Sequence, residues 1–207
     1  MQTTELIETA AVPSRQHVTP HAGRRDMSAA EAAVASFLAA LGVDLSGATL
    51  RDTPGRMARA YAELLTPREF DLTVFPNDED YDELVLVQSI GFRSLCEHHG
   101  LPFIGTAQVG YLPGDRIIGI SKLARVVEMF ACRPQTQERM TRQIADWLGE
   151  HLCPKGVGVV LRAEHLCMTL RGAQAPGATT VTSALDGLLL KDPRARSEFF
   201  TLTQAAR

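Results

Sequence analysis

The chain has 207 residues, 45% hydrophobic and 22% charged, with 21 Lys plus Arg against 24 Asp plus Glu and a formal net charge of −3. That length allows a single domain, or two small ones, with a real core, and it excludes a disulfide-stapled mini-protein, a fibre and a wholly disordered chain. The slightly acidic balance argues against a duplex-binding protein that works by bulk charge, so any anion has to be met by a local cluster. No apolar run approaches the roughly 20 residues that cross a bilayer, and the first 27 residues lack the continuous apolar stretch of a secretion signal, so a soluble cytoplasmic protein with no membrane partner is expected. The four cysteines, Cys96, Cys132, Cys153 and Cys167, are irregularly spaced. In an unsecreted chain this points to reduced thiols, a metal or core packing.

Residues 1–26 mix Thr, Glu, Pro, Arg and His without periodicity and read as a mobile tail. A helix is expected from Ser28, with Ser28 and Glu31 as a capping box, Val34, Phe37, Leu38 and Leu41 on one face, and Gly42 at its end. A second opens at Thr53-Pro54, with Thr53 as N-cap, presents Met57, Tyr61, Leu64 and Leu65, and stops before Pro67. These form a helical lead-in over residues 27–83, closed by the acidic loop Asn77-Asp78-Glu79-Asp80. From residue 84 to 207 the texture changes. Leu84 to Ile90, Phe103 to Tyr111 and Arg116 to Ile120 read as strands. A helix from Ser121 then buries Leu123, Val126, Val127 and Phe130. Another, with Pro134 in its first turn, shows Met140, Ile144, Trp147 and Leu148. Strands return at Val157 to Glu164 and Leu166 to Arg171, with an extended stretch around Thr179 to Leu185. Strands and helices are segregated, which favours α+β with an antiparallel sheet over a doubly wound parallel one.

Cys96-Glu97-His98-His99 holds a thiolate and an imidazole three residues apart, so one turn of chain can present both to one ion. His165-Leu166-Cys167 offers a partner, since i and i+2 of an extended segment share a face. Cys96, His99 and Cys167 would make a Cys2His zinc site with its fourth position open, the arrangement of a catalytic zinc that acidifies water toward a pKa of roughly 7. His98 and His165 then stand beside the metal as acid/base candidates. The alternatives are a closed four-ligand structural site, or thiols that are only buried apolar groups.

Gly119-Ile120-Ser121-Lys122-Leu123-Ala124-Arg125 is a strand end leading into a helix that begins with a hydroxyl and two cations. It suits a phosphate, and equally an ordinary N-cap followed by a solvated basic face. Arg133, Gln135, Gln137, Glu138 and Arg139 open the next helix, where an amide and a carboxylate could read a heterocycle's edge, although helix surfaces carry such residues routinely. Arg171 would add a cation near the second metal segment. The chain has neither G-x-x-x-x-G-K-[ST] nor G-x-G-x-x-G after a strand, so a polyphosphate would be held by side chains.

Ser94-Leu95-Cys96-Glu97-His98-His99, Tyr111-Leu112-Pro113, Ile118-Gly119-Ile120-Ser121-Lys122, Arg133-Pro134-Gln135-Thr136-Gln137-Glu138-Arg139 and His165-Leu166-Cys167, in this order, resemble GTP cyclohydrolase I. The resemblance runs from about Ser28 to Phe200. It implies the tunnelling fold, assembled as a decamer of two pentamers with sites between subunits. It also implies hydrolysis of GTP at C8 of guanine to formate and 7,8-dihydroneopterin triphosphate, the first step of tetrahydrofolate and pterin biosynthesis. Carried over by motif, Cys96, His99 and Cys167 look like zinc ligands and His98 and His165 like proton-transfer residues. Ser121, Lys122, Arg125 and Arg171 would hold the triphosphate and ribose, and Gln137 and Glu138 would recognise the purine. A monomer should be inactive. The competing expectations are a tunnelling-fold reductase of a deazapurine nitrile, which uses a catalytic Cys without zinc, and a noncatalytic zinc-stabilised scaffold.

Overall fold

The computed structural model describes residues 14–19 and 23–205. In chain order the elements are β1 (Ser14–Val18), α1 (Met27–Ala40), α2 (Thr53–Leu64), β2 (Phe70–Pro76), β3 (Val85–Cys96), β4 (Pro102–Leu112), β5 (Arg116–Ile118), α3 (Ile120–Ala131), β6 (Pro134–Gln135), α4 (Gln137–Leu152), β7 (Gly156–His165), α5 (Leu166–Thr169), β8 (Thr180–Gly187), α6 (Leu188–Lys191) and α7 (Pro193–Ala205). A five-stranded sheet runs β6-β3-β4-β7-β8, antiparallel except for the two-residue β6. The expected α+β class, with strands, then two long helices, then strands on a largely antiparallel sheet, is what the chain adopts.

The core lies between one face of this sheet and α3 and α4. Leu123, Val126, Val127, Met140, Ile144 and Leu148 are fully buried against Phe103, Ala107, Val109, Val159 and Leu161, so the helical periodicity of α3 and α4 and the alternation of β4 and β7 meet as expected. The opposite face is covered at one end by α7. The Phe199 ring packs over Gly158 and Gly110, where an added Cβ would stand 2.6 Å and 3.2 Å from it.

Several boundaries differ from expectation, each for a local reason. Residues 14–18, within the supposed tail, form β1 and pair antiparallel with β2, with His17 bonded to Asp71 at 2.8 Å; residues 1–13 of that tail lie outside the described residues. The cap of α1 is Asp26, whose carboxylate accepts from the Ala29 N–H at 2.9 Å and adds negative charge at the helix start, so Ser28 sits inside the first turn. Gly42 does end α1, at φ +81°, but Phe37 and Leu41 stay 55% and 64% exposed. In α2 Thr53 is the first helical residue and its hydroxyl accepts from Arg56, so it is not the cap. Ser121 likewise falls inside α3, which starts at Ile120 after Gly119. Pro134 is in β6 beside β3 rather than in a helical turn, because Thr136 caps α4 by accepting from the Arg139 N–H. The expected strand from Leu166 is the helical turn α5. The division at residue 83 is crossed by the ladder between β2 and β5, Val74 facing Ile118.

Candidate active site

The β3–β4 hairpin ends the sheet with a tight turn. The Gly100 N–H donates to the Cys96 carbonyl at 2.8 Å, and Gly100 takes φ +64°, a conformation that glycine adopts without steric cost. The Glu97 N–H donates to Gln135 of β6, and Arg139 reaches back from α4 to pair with the Glu97 carboxylate. The turn is therefore held from both sides, and it projects Cys96 and His99 toward the end of β7. Cys167 arrives there from α5 and not from an extended strand. The Cys96 sulfur lies 3.7 Å from His99 Nδ1 and 3.9 Å from the Cys167 sulfur, and the three donor atoms are within 4.8 Å of one another.

The Cys96–His99 and Cys96–Cys167 separations match a tetrahedral ion. Ligand bonds of about 2.3 Å to sulfur and about 2.0 Å to nitrogen place tetrahedral ligand atoms about 3.8 Å (S···S) and about 3.6 Å (S···N) apart. The two sulfurs are not bonded to each other and both cysteines are free. Burial pushes the Cys167 thiol up, and the neighbouring Cys96 sulfur adds to this while Arg171 opposes it. Metal binding at such a site displaces the thiol protons. Cys132 is buried and Cys153 exposed, neither within this cluster.

His98 is close but open to solvent: Nδ1 is 4.0 Å from the Cys96 sulfur and the side chain is 65% exposed. His165 is held firmly. It pairs in register with Phe103, whose fully buried ring stacks on the imidazole at 4.5 Å and 6°. Its Nε2 lies 2.8 Å from Gln137 Oε1. Burial lowers the His165 pKa, and the Glu138 carboxylate acts in the opposite direction, which places Glu138 on this side of the molecule. Arg171 is exposed and its field reaches Cys167.

Gln137 does not present its amide to a ligand. It is 1% exposed, and its nitrogen is committed to the Leu161 and Thr180 carbonyls and the Thr182 hydroxyl. The first turn of α4 turns Gln137 inward and leaves Glu138 exposed.

Ser121 and Arg125 sit elsewhere. They line a cavity of about 970 Å³ between α2, β3 and α3 that also takes in Arg59, Arg68, Arg93 and Glu128 and none of the metal-ligating residues or His165. Arg68 and Arg125 converge on Glu128, at 2.6 Å and 3.1 Å. Burial works to raise that carboxyl, but the Arg68 hydrogen bonds and charge, with Arg125, bring it below its ordinary value. Lys122 is half-buried, and its charge adds to the His17 hydrogen bond that chiefly lowers the Asp71 carboxyl of β2. One chain thus holds two groups of predicted residues: the metal donors with His98, His165, Glu138 and Arg171, and the cationic cavity of Ser121 and Arg125. Sequence pattern missed Arg59, Arg68 and Arg93 in that cavity because isolated arginines on a helix, a loop and a strand carry no local signal. Phe103 could have been found from the His165 pairing once the register was known.

The family model described as GTP cyclohydrolase I matches residues 30–204. GTP cyclohydrolase 1 of Aquifex aeolicus is 51% identical over 172 residues, covering 83% of this chain and 94% of that protein. The protein of the same name from Sulfurihydrogenibium sp. is 47% identical over 177 residues, 86% of this chain and 95% of that one. That of Mycolicibacterium vanbaalenii is 51% identical over 186 residues, 86% and 91%. Among solved structures, the apo archaeosine synthase QueF-Like aligns with a TM-score of 0.42 and 16% identity, over 50% of this chain and 93% of that one. With the family matched from α1 to α7 and the Cys-x-x-His and Cys donors gathered at one point, the chain belongs to the GTP cyclohydrolase I family.

Proposed function

We propose that this protein is a zinc-dependent cytoplasmic GTP cyclohydrolase I, converting GTP and water to 7,8-dihydroneopterin triphosphate and formate at the entry to tetrahydrofolate and pterin synthesis. The observation that carries this reading, within a chain of that family, is the convergence of Cys96, His99 and Cys167 beside the anchored His165. The soft Cys2His donor set suits zinc, which at such a site acidifies water and so makes attack on C8 of guanine feasible at neutral pH. His165 delivers a proton to the ring nitrogen so that the C–N bond can break, and His98, exposed at the rim, exchanges protons with solvent. Glu138 accepts from the amino and ring N–H edge of guanine, a donor pattern that ATP lacks. Ser121, Lys122, Arg125 and Arg171 neutralise the triphosphate and orient the ribose.

The two groups of residues fit one substrate if the cationic cavity of one copy faces the metal centre of another. This supports a homo-oligomer with sites between subunits, and the decamer of two pentamers is the assembly we assign. Among the described residues no helix is long and apolar enough to cross a membrane. The test is an assay of the purified protein for formate and for the pterin fluorophore, with zinc counted per chain. Zinc without formate from GTP would point to a scaffold, and nitrile reduction by a zinc-free protein would point to a reductase.

A further inference from the structure

Gln137 opens α4 at the place where that helix meets β7 and β8. A side-chain amide has two N–H donors on nitrogen and acceptor lone pairs on oxygen. One end of the Gln137 amide lies 3.1 Å from the Leu161 carbonyl and 3.0 Å from the Thr180 carbonyl. Backbone carbonyls can only accept, so this end is the nitrogen. The reversed amide would set oxygen against oxygen twice in a site 1% exposed, at about 1–3 kcal/mol for each lost bond. Thr141 strengthens the arrangement: its hydroxyl donates to the Gln137 carbonyl at 2.7 Å and stands 2.6 Å from the Thr182 hydroxyl.

The orientation of the amide dictates that of the imidazole. Oε1 faces His165 Nε2 at 2.8 Å, and an amide oxygen accepts only, so Nε2 carries a hydrogen. Phe103, fully buried and parallel to the ring, holds it in that plane. Among the described residues, Nδ1 has no hydrogen-bond partner. An acceptor at Nε2 suits the ring whether or not Nδ1 holds a proton, so the anchor survives each transfer.

We propose that Gln137 is a positioning residue of the reaction: it holds His165 in the Nε2–H form and leaves Nδ1 as the atom that takes a proton from water and gives it to the substrate ring nitrogen. This rests on the reading of His165 as the proton-transfer group, and it replaces purine recognition as the role of Gln137.

The test uses the full zinc-loaded chain. Gln137→Leu is expected to lower kcat for formate release by roughly 10- to 100-fold, the usual cost of removing a partner that orients a functional side chain, with zinc per chain unchanged and KM for GTP within about twofold. Gln137→Glu should recover most of that loss. Enclosed by two carbonyl acceptors, its carboxyl stays protonated, donates to one of them and accepts from Nε2 through the other oxygen. In a His165→Ala background Gln137→Leu should cost no further turnover. A raised KM with kcat intact, an unchanged kcat, or an added loss in the His165→Ala background would each overturn the proposal. If Gln137→Leu fails to fold, Gln137→Glu decides alone: turnover near wild type with full zinc supports it, and a loss as deep as that of His165→Ala overturns it. Failure of the underlying reading of His165 looks different, because His165→Ala itself would then turn over normally.

Discussion

Two defective chains should repair each other when mixed. His165→Ala damages the metal half of the site and leaves the cavity of Ser121 and Arg125 intact, and Arg125→Ala does the reverse. The cavity wall should survive the second change, because Arg68 keeps its two bonds to Glu128, at 2.7 Å and 2.6 Å, after the 3.1 Å contact from Arg125 is gone. Loss of one charge-assisted contact to a phosphate is worth about 1.5–3 kcal/mol, or roughly 10- to 150-fold in kcat/KM. If each site takes its metal half from one copy and its cationic half from another, an equal mixture carries an intact metal half in about half its sites and an intact cationic half in about half. Roughly a quarter of the sites are then wild type, and kcat/KM recovers to roughly a quarter of that of the unmodified enzyme. A site completed within one chain recovers nothing, because every chain carries one defect. The assay is formate release after co-refolding, with native mass spectrometry showing that mixed oligomers formed. Mixed oligomers with no activity above the better single variant would refute a shared site.

Cys96→Ser, His99→Ala and Cys167→Ser are each expected to lose zinc and turnover together, whereas His165→Ala keeps its zinc and loses turnover; metal content per chain measured beside formate release separates the two classes. Phe199→Ala removes a fully buried ring and should cost about 3–5 kcal/mol in urea unfolding, while Gly158→Ala, whose new methyl would stand 2.6 Å from that ring, should cost about 1–3 kcal/mol. Phe199→Leu should relieve some of the Gly158→Ala penalty. At β1, the Asp71 hydrogen bond raises the His17 pKa above its ordinary 6.5, and that same bond to His17 lowers the Asp71 pKa below 3.8. The clasp is complete between those values and is lost as pH rises through the raised His17 pKa. Tryptic cleavage after Arg15, normalised to an unstructured peptide, should therefore be faster near pH ~9 than near pH ~6.5, and His17→Gln should abolish the difference.

What could be read before folding follows from the range of the interactions involved. Cys96 and His99 are joined by one turn, so their spacing alone carries the chemistry. Cys167 was identifiable as their partner by residue type, but the extended geometry invoked for it was wrong, since the strand ends at His165 and a helical turn delivers the sulfur. The inward turn of Gln137 was not legible, because composition shows an amide at a helix start without showing the phase of that helix. The phase is set by the Thr136 cap, which puts Gln137 under β7 and β8 and leaves Glu138 outside. No element was expected beyond Leu185, yet α7 forms, because its anchor Phe199 depends on Gly110 and Gly158, tens of residues away and silent in any local pattern. The same dependence on range explains why the cations and the metal donors read as one site in the sequence and lie in two places in the fold. A motif records which groups a substrate needs, and says nothing of which copy supplies them. If the cavity of Ser121 and Arg125 holds the phosphates, its separation from the metal donors makes catalysis conditional on a second copy of the chain, which is what the mixing experiment tests.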